Sequence, residues 1–522
     1  MHWTLSLKEI SSTTRMLMKK IFIFIYVVFL TGTAWPQNLQ PNKDSKGLPL
    51  YTNTTAISGD KPQMPLSRFK PVRINIDALE QTIVNPSTHL ILPLFNGEKI
   101  EVYLTHPKKY SVHRSVWVGK IMGDDTSEVI FARYNNALVG KIAVGSRRFL
   151  ITTSSQGTEF LVEVPADFGA IKEDDAVIPP NKGAAAVQKP KAAATTPDDG
   201  SRVDVFVGYT AAARDGAGGV DAIKALADAA IAEANVGNDN SQVNFDFAIV
   251  GTGLVNYDEA GQWDPAQSER TNWDRMLARL VNKTDGFMDE IVSFRDNAQA
   301  DIVMLFIEAN QANGIAGLAY IMGTPSTSFE YFAMSLVKRV YAVGGVVAGH
   351  EMGHNMGSDH DRQHPSGQRS YLYSYGYRPS NGAFATIMAY QDTCPGGGSC
   401  PKINYYSNPD ITYNGQAIGI DYEADPANAA DNARSLNNTA PIVANFRTPV
   451  ECQPPLPDTA EWILYTSCTI SGSVVRKGNV AVFENATLTI APTGSLDLDL
   501  VNFSLYVFDG GAVVIKDGGK IY

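Results

Sequence analysis

The stretch His350-Glu351-Met352-Gly353-His354-Asn355-Met356-Gly357-Ser358-Asp359-His360-Asp361 decides the reading of this chain. On a helix, residues four apart lie one above the other, so His350 and His354 can grip a single metal ion. Glu351 stands one step round the helix, placed to reach an attacking water without binding the metal itself. Gly357 permits the positive-φ turn that ends such a helix and folds the chain back under the metal. His360 arrives by that turn as a third ligand. Three imidazoles leave the fourth position of tetrahedral zinc open, the arrangement of a catalytic site and not of a closed structural one. The plain alternative is a helix carrying His for packing and Glu for solubility. An isolated HExxH leaves that alternative standing; the added Gly and third His speak against it. Of the eight histidines, His350, His354, His360 and His364 fall within fifteen residues. His364 lies beyond the pattern and reads as a surface residue.

The run fits H-E-x-x-H-x-x-G-x-x-H, and in this it resembles the metzincin metalloproteases. That family carries a methionine turn beneath the metal, and Ala385-Thr386-Ile387-Met388-Ala389-Tyr390 resembles it. The resemblance puts Met388 at the base of the zinc pocket; taken alone, Met388 reads as core filler. Asp361, directly after the third His, resembles the adamalysin/reprolysin branch. Tyr390 is instead similar to the Tyr of the astacin and serralysin branches, which binds zinc or the oxyanion; reprolysins usually carry Pro there. The mixture implies a bacterial reprolysin-like enzyme, with Tyr390 either an oxyanion donor or a packed aromatic. The resemblance further implies Zn2+ as cofactor, protein or peptide substrates, and Glu351 as general base and then acid.

Composition sets the frame. The 522 residues are 44% hydrophobic and 19% charged, as in globular protein, and suffice for three domains. A net charge of −11 argues against nucleic acid as a partner. Met18-Lys19-Lys20 precedes the apolar run 21–30, and small residues follow to Ala34. This reads as a signal peptide over 1–34, cleaved near Ala34, and predicts a secreted protein. No second long apolar run is present, so no transmembrane anchor is expected in the mature chain. Oligomeric state is not readable. The four cysteines suit an oxidising compartment. Cys394 and Cys400 bracket a Gly-rich loop; Cys452 with Cys468 would make a second bridge, though four cysteines allow three connectivities.

A multidomain chain is expected. Residues 35–177 hold short apolar segments (115–121, 129–132, 148–151) between turns, the pattern of a β-rich domain. Its place ahead of the zinc motif resembles a propeptide. Residues 178–200, rich in Ala, Pro, Lys and Thr, read as a linker and processing region. Over 201–447 strands are predicted at 203–210, 243–250 and 301–307, and helices at 222–234, 273–280 and 286–294. That alternation matches an α/β (α+β) metzincin catalytic domain with a mixed twisted sheet and a zinc helix. Gly317-Leu318-Ala319-Tyr320 stands where that family has its edge strand, whose free N–H and C=O groups would hold an extended peptide. An inner strand is the alternative. In 448–522 an internal match at an offset of 25, Val480 with Leu505 and Leu488 with Val513, suggests two coils of a small all-β, β-solenoid-like domain. A small β-sandwich is the alternative.

The expected function is a secreted zinc endopeptidase made as a zymogen. The rivals are an exported adhesin with an inactive protease-like domain, and a zinc hydrolase of non-peptide amides. No cysteine precedes Cys394, so latency cannot rest on a thiolate. It would rest on covering the cleft or on an oxygen or imidazole ligand; Asp124, Asp125, His106 and His113 are available, but no motif marks any of them, and each reads first as a surface or turn residue.

Overall fold

Alternation with period two builds the N-terminal part. A computed structural model describes residues 47–522, apart from 57, 86–87, 106, 112–113, 171–174, 181–199, 310–313, 393, 395–397, 448–451, 460–461, 465–466, 483–485, 509–510 and 517. The expected export signal, His106, His113 and most of the expected linker lie outside the described residues. Strands from Leu48–Pro49 to Glu159–Val164 form one eleven-stranded sheet. On strand Asp124–Tyr134, Val129 and Phe131 enter a core with Trp117, Ile142 and Phe149. Ile130 and Ala132 point the other way, into a core that continues through Ile223 and Leu226 to the strands beyond. Both faces are buried, which is why these strands read as apolar runs.

Helix Val220–Asn240 is the layer between. It packs on strands Asp124–Tyr134 and Ala137–Val144 on one side, and on strand Asp246–Val255 and helix Val347–Asn355 on the other. Its many alanines let backbones approach from both directions. Charges are buried here too: Lys141 Nζ lies 2.6 Å from both Glu128 and Glu233, and Arg114 pairs with Asp228 at 2.7 Å.

The sheet beyond the long helix has six strands, in the order Ala176–Val177, Gly317–Tyr320, Met334–Lys338, Ile302–Ile307, Arg202–Thr210, Asp246–Val255. Gly317–Tyr320 runs antiparallel to Met334–Lys338. The expected alternation is present with moved boundaries. The helix expected at 286–294 is Glu290–Ala298, because Gly286 and Met288 turn with φ of 84° and 57° before it can start.

In the C-terminal part, three successive passes of the chain stack as three sheets of three parallel strands. Later passes pair as the offset of 25 requires, Val480↔Leu505, Leu488↔Val513 and Leu496↔Ile521. The expectation of two passes is corrected to three. The first pairs as Trp462↔Val480, Cys468↔Leu488 and Val474↔Leu496, with no constant offset for a repeat search to find. These strands share a core of their own around Ile470, Leu488 and Leu496. Disulfides join Cys394 to Cys400 and Cys452 to Cys468. No helix of the described residues is long and apolar enough to cross a membrane.

Candidate active site

Helix Val347–Asn355 carries His350, Glu351 and His354. It ends where Gly357 N–H donates to His354 O and Ser358 N–H to Gly353 O, both 2.9 Å, with Gly357 at φ 87°. A Cβ there would sit 1.8 Å from Ser370 Oγ, so only glycine fits the turn. The chain then enters the short strand Asp359–Asp361, which delivers His360.

The three imidazoles meet, with ring centroids 4.6, 4.7 and 5.3 Å apart. His350 Nδ1 donates to Ile387 O and His354 Nδ1 to Ser358 O, each at 2.8 Å. Those partners assign the proton to Nδ1 and leave the Nε2 lone pairs facing inward, the tautomer that binds metal. Burial draws His350 down to about 3, against the nearby Asp175 carboxylate, so the ring is neutral.

Glu351 is fully buried, and neither carboxylate oxygen has a hydrogen-bond partner among the described residues. It lies against Gly317, where a Cβ would stand 2.2 Å from Oε1. Burial, and then Asp175, push this carboxyl well above its ordinary range, while Arg270 acts in the opposite sense. Met388 packs beneath the helix, its sulfur 2.7 Å from where a Cβ on Gly353 would be. Tyr390 is buried, its N–H donating to Asp361 Oδ2 at 2.9 Å and its ring 4.7 Å from that of His360. His364 is not a detached surface residue: it stacks on Tyr390 at 4.4 Å and bonds Asp361 at 3.0 Å.

The residue sequence reasoning missed is Asp175. Its Oδ1 lies 3.4, 3.3 and 2.5 Å from Nε2 of His350, His354 and His360. Burial opposes its charge, but the facing imidazoles outweigh burial and hold it well below the usual carboxylate range. Asp124 and Asp125 do not approach the cluster. Asp124 Oδ1 accepts from Thr126 and Ser127 N–H in a turn, and Asp125 is exposed. The only local signal at Asp175 is its nearness to the linker-like stretch, because Glu173-Asp174-Asp175 reads as a solvated acidic run.

Comparison with known proteins identifies the family. The sequence model of metallo-peptidase family M12, reprolysin type, matches residues 199–412. A peptidyl-Asp metalloendopeptidase of Stenotrophomonas maltophilia is 33% identical over 67% of this chain and 81% of its own length. The chain belongs to the M12 family. It is a zinc metalloendopeptidase of the metzincin type. A second relative of that name, from Xanthomonas campestris, is 27% identical over 77% of this M12 chain and 94% of its own. Among solved structures, metalloproteinase-II from Bacteroides fragilis aligns with a TM-score of 0.36 at 8% identity, covering 62% of this chain and 88% of that one.

The donor set of this M12 metallopeptidase fits a zinc ion. Three imidazole nitrogens and one carboxylate oxygen, all buried, lie within 4.8 Å of one another. A buried carboxylate with no partner stands beside them, as a proton acceptor for a water held there would.

Proposed function

We propose that this enzyme is exported as a latent precursor. Its zinc would be held by His350, His354 and His360, and Glu351 would serve as general base and acid. The observation that carries the reading is the convergence of the three Nε2 atoms of His350, His354 and His360 beside the unpartnered Glu351 carboxylate. Bound zinc supplies the Lewis acid that polarises a scissile carbonyl and acidifies water. Glu351 takes the proton of the attacking water and passes it to the leaving amine. Tyr390, fixed between His360 and His364, is read as the hydroxyl that faces the oxyanion. For substrates the reading follows the relatives' name, a peptide bond at aspartate.

Latency is assigned to residues 175–177. Asp175 occupies the point where the three imidazoles aim, which is the place an attacking water would need. Ala319 N–H donates to Asp175 O and Ile321 N–H to Val177 O, both 3.0 Å. Those are edge-strand donors that an extended substrate would use. We therefore read 1–34 as the export signal, 35–177 as the propeptide, 178–200 as the processing region, 201–447 as the catalytic domain and 448–522 as a β-solenoid.

The test is a pair of variants in the released enzyme. Glu351→Gln should keep its zinc and lose turnover of an aspartate-containing peptide, while His354→Ala should lose most of the zinc. A hydrolytically competent Glu351→Gln enzyme would sink the mechanism, and full zinc retention in His354→Ala would remove that ligand. Equal rates on Asp, Asn and Leu peptides would remove the aspartate preference alone.

A further inference from the structure

Beneath the imidazoles, the segment around Lys402 runs alongside the methionine turn. Ala385 N–H donates to Pro401 O at 2.8 Å, Ile403 N–H to Ala385 O at 3.0 Å, and Ile387 N–H to Tyr405 O at 2.8 Å. The Cys394–Cys400 disulfide closes the loop just before it. From this fixed backbone the Lys402 ammonium reaches inside the turn. It donates to Thr386 O at 3.2 Å, Ile387 O at 3.0 Å and Ala389 O at 2.5 Å. Three donors thus meet three acceptors, and Met388 is the residue they enclose. The Ile387 carbonyl is shared: it also receives the Nδ1–H of His350 at 2.8 Å.

Nothing in packing alone asks for a lysine here. Its amine sits among carbonyls, with no carboxylate hydrogen-bonded to it among the described residues, and burial draws its pKa down to about 7 while Asp175 and Asp361 act the other way. Taking a cation out of water on such terms is costly, and a Met or Leu would fill the same volume without that cost. What a hydrocarbon cannot do is draw three carbonyls to one point.

We propose that Lys402 is a positioning residue for the zinc site: it gathers the carbonyls of the methionine turn and so fixes the Ile387 oxygen that orients His350. The effect reaches the metal through His350 only, so Lys402 itself touches neither metal nor substrate. Loss of a partner that orients a ligand typically weakens metal binding 10–100-fold. The inference rests on the reading of His350 as a ligand.

The experiment uses the full chain and measures zinc affinity by competition with a chromophoric chelator. Lys402→Met should bind zinc about 10–100-fold more weakly, and His350→Ala more weakly still. With cobalt at saturation, the visible absorption bands of Lys402→Met should shift, because a freed carbonyl lets the His350 ring tilt. A general loss of stability would leave those bands in place. Wild-type affinity or unshifted bands in Lys402→Met, with zinc lost in His350→Ala, would overturn the role of Lys402 and leave the site intact. Wild-type affinity in His350→Ala would overturn the ligand reading instead. If Lys402→Met does not fold, Lys402→Gln, which keeps two donors, is judged by the same two measurements.

Discussion

Two β-rich segments flank the catalytic sheet, and they are attached in opposite ways. The N-terminal sheet has no boundary of its own on one face. Ile130, Leu150 and Val162 belong to the same core as Ile223 and Leu226 of the long helix. Lys141 stands between Glu128 of its own sheet and Glu233 of that helix, all three buried. The C-terminal passes instead bury Ile470, Leu488 and Leu496 against one another. Among the described residues, one backbone bond links them to the catalytic part, Ser467 N–H to Asn297 O at 3.2 Å. A segment that shares a core and a buried charge cannot leave without exposing both. One that closes its own core can be present or absent with little consequence. The first suits a device that must hold a protease shut, the second an appendage.

The sharpest way to break this contrast is Lys141→Met in the precursor. It leaves Glu128 and Glu233 buried without their cation, and stripping one partner from a buried pair costs about 3–5 kcal/mol. Denaturant unfolding at neutral pH should show that loss. Burial already pushes Glu233 above its ordinary value. A raised folded-state pKa means that the folded chain takes up a proton that the unfolded chain, near 4.5, does not. The penalty should therefore shrink as the pH falls towards that value. A variant as stable as the parent at pH 7 would show that the two parts are merely adjacent.

The next effect in size is on latency. Asp175→Ala removes the carboxylate from the three imidazoles but leaves the shared core alone. If that carboxylate closes the zinc's open position with about 1.5–3 kcal/mol, its loss corresponds to roughly a 10- to 100-fold rise in the activity of the uncut chain. Cutting the parent between 181 and 199 should do less than is usual for a zymogen. The shared core predicts that the N-terminal segment stays bound, so the nicked chain should elute from gel filtration as one particle. Separation on nicking alone would show that the common core is too weak to matter.

What the sequence discloses follows from how far apart the cooperating residues are. The imidazoles, Gly357 and Met388 lie within one local run or a short step beyond it, so helix period and a glycine turn suffice to bring them together. The 25-residue offset is readable because two passes share one length; the first pass differs and hides. Asp175 precedes its imidazole partners by 175 residues or more. It is one acid among three, and no periodicity marks it. Lys402 is invisible for a related reason: its partners are backbone carbonyls, which every sequence has. Lys141 and Glu233 are ordinary charges until a sheet is laid on a helix.

The smallest expected effect belongs to the C-terminal passes, and it depends on where the chain is cut. Arg447 is part of the catalytic fold. Its Nε pairs with Asp296 at 3.0 Å, its Nη1 pairs with Glu330, and its N–H donates to Asp301 Oδ1 at 3.2 Å. Asp301 Oδ2 in turn accepts from Asp204 N–H at the start of a central strand. Truncation after residue 450 keeps this cluster and gives up little more than the Ser467 contact, worth about 0.5–1.5 kcal/mol. Zinc content and turnover should be unchanged, with the melting temperature moved by only a few degrees. Truncation before Arg447 should cost more, since a network to buried Asp301 is opened. If removing 451–522 abolished folding, the C-terminal coils would have to be counted with the N-terminal sheet, as a part on which the catalytic core depends.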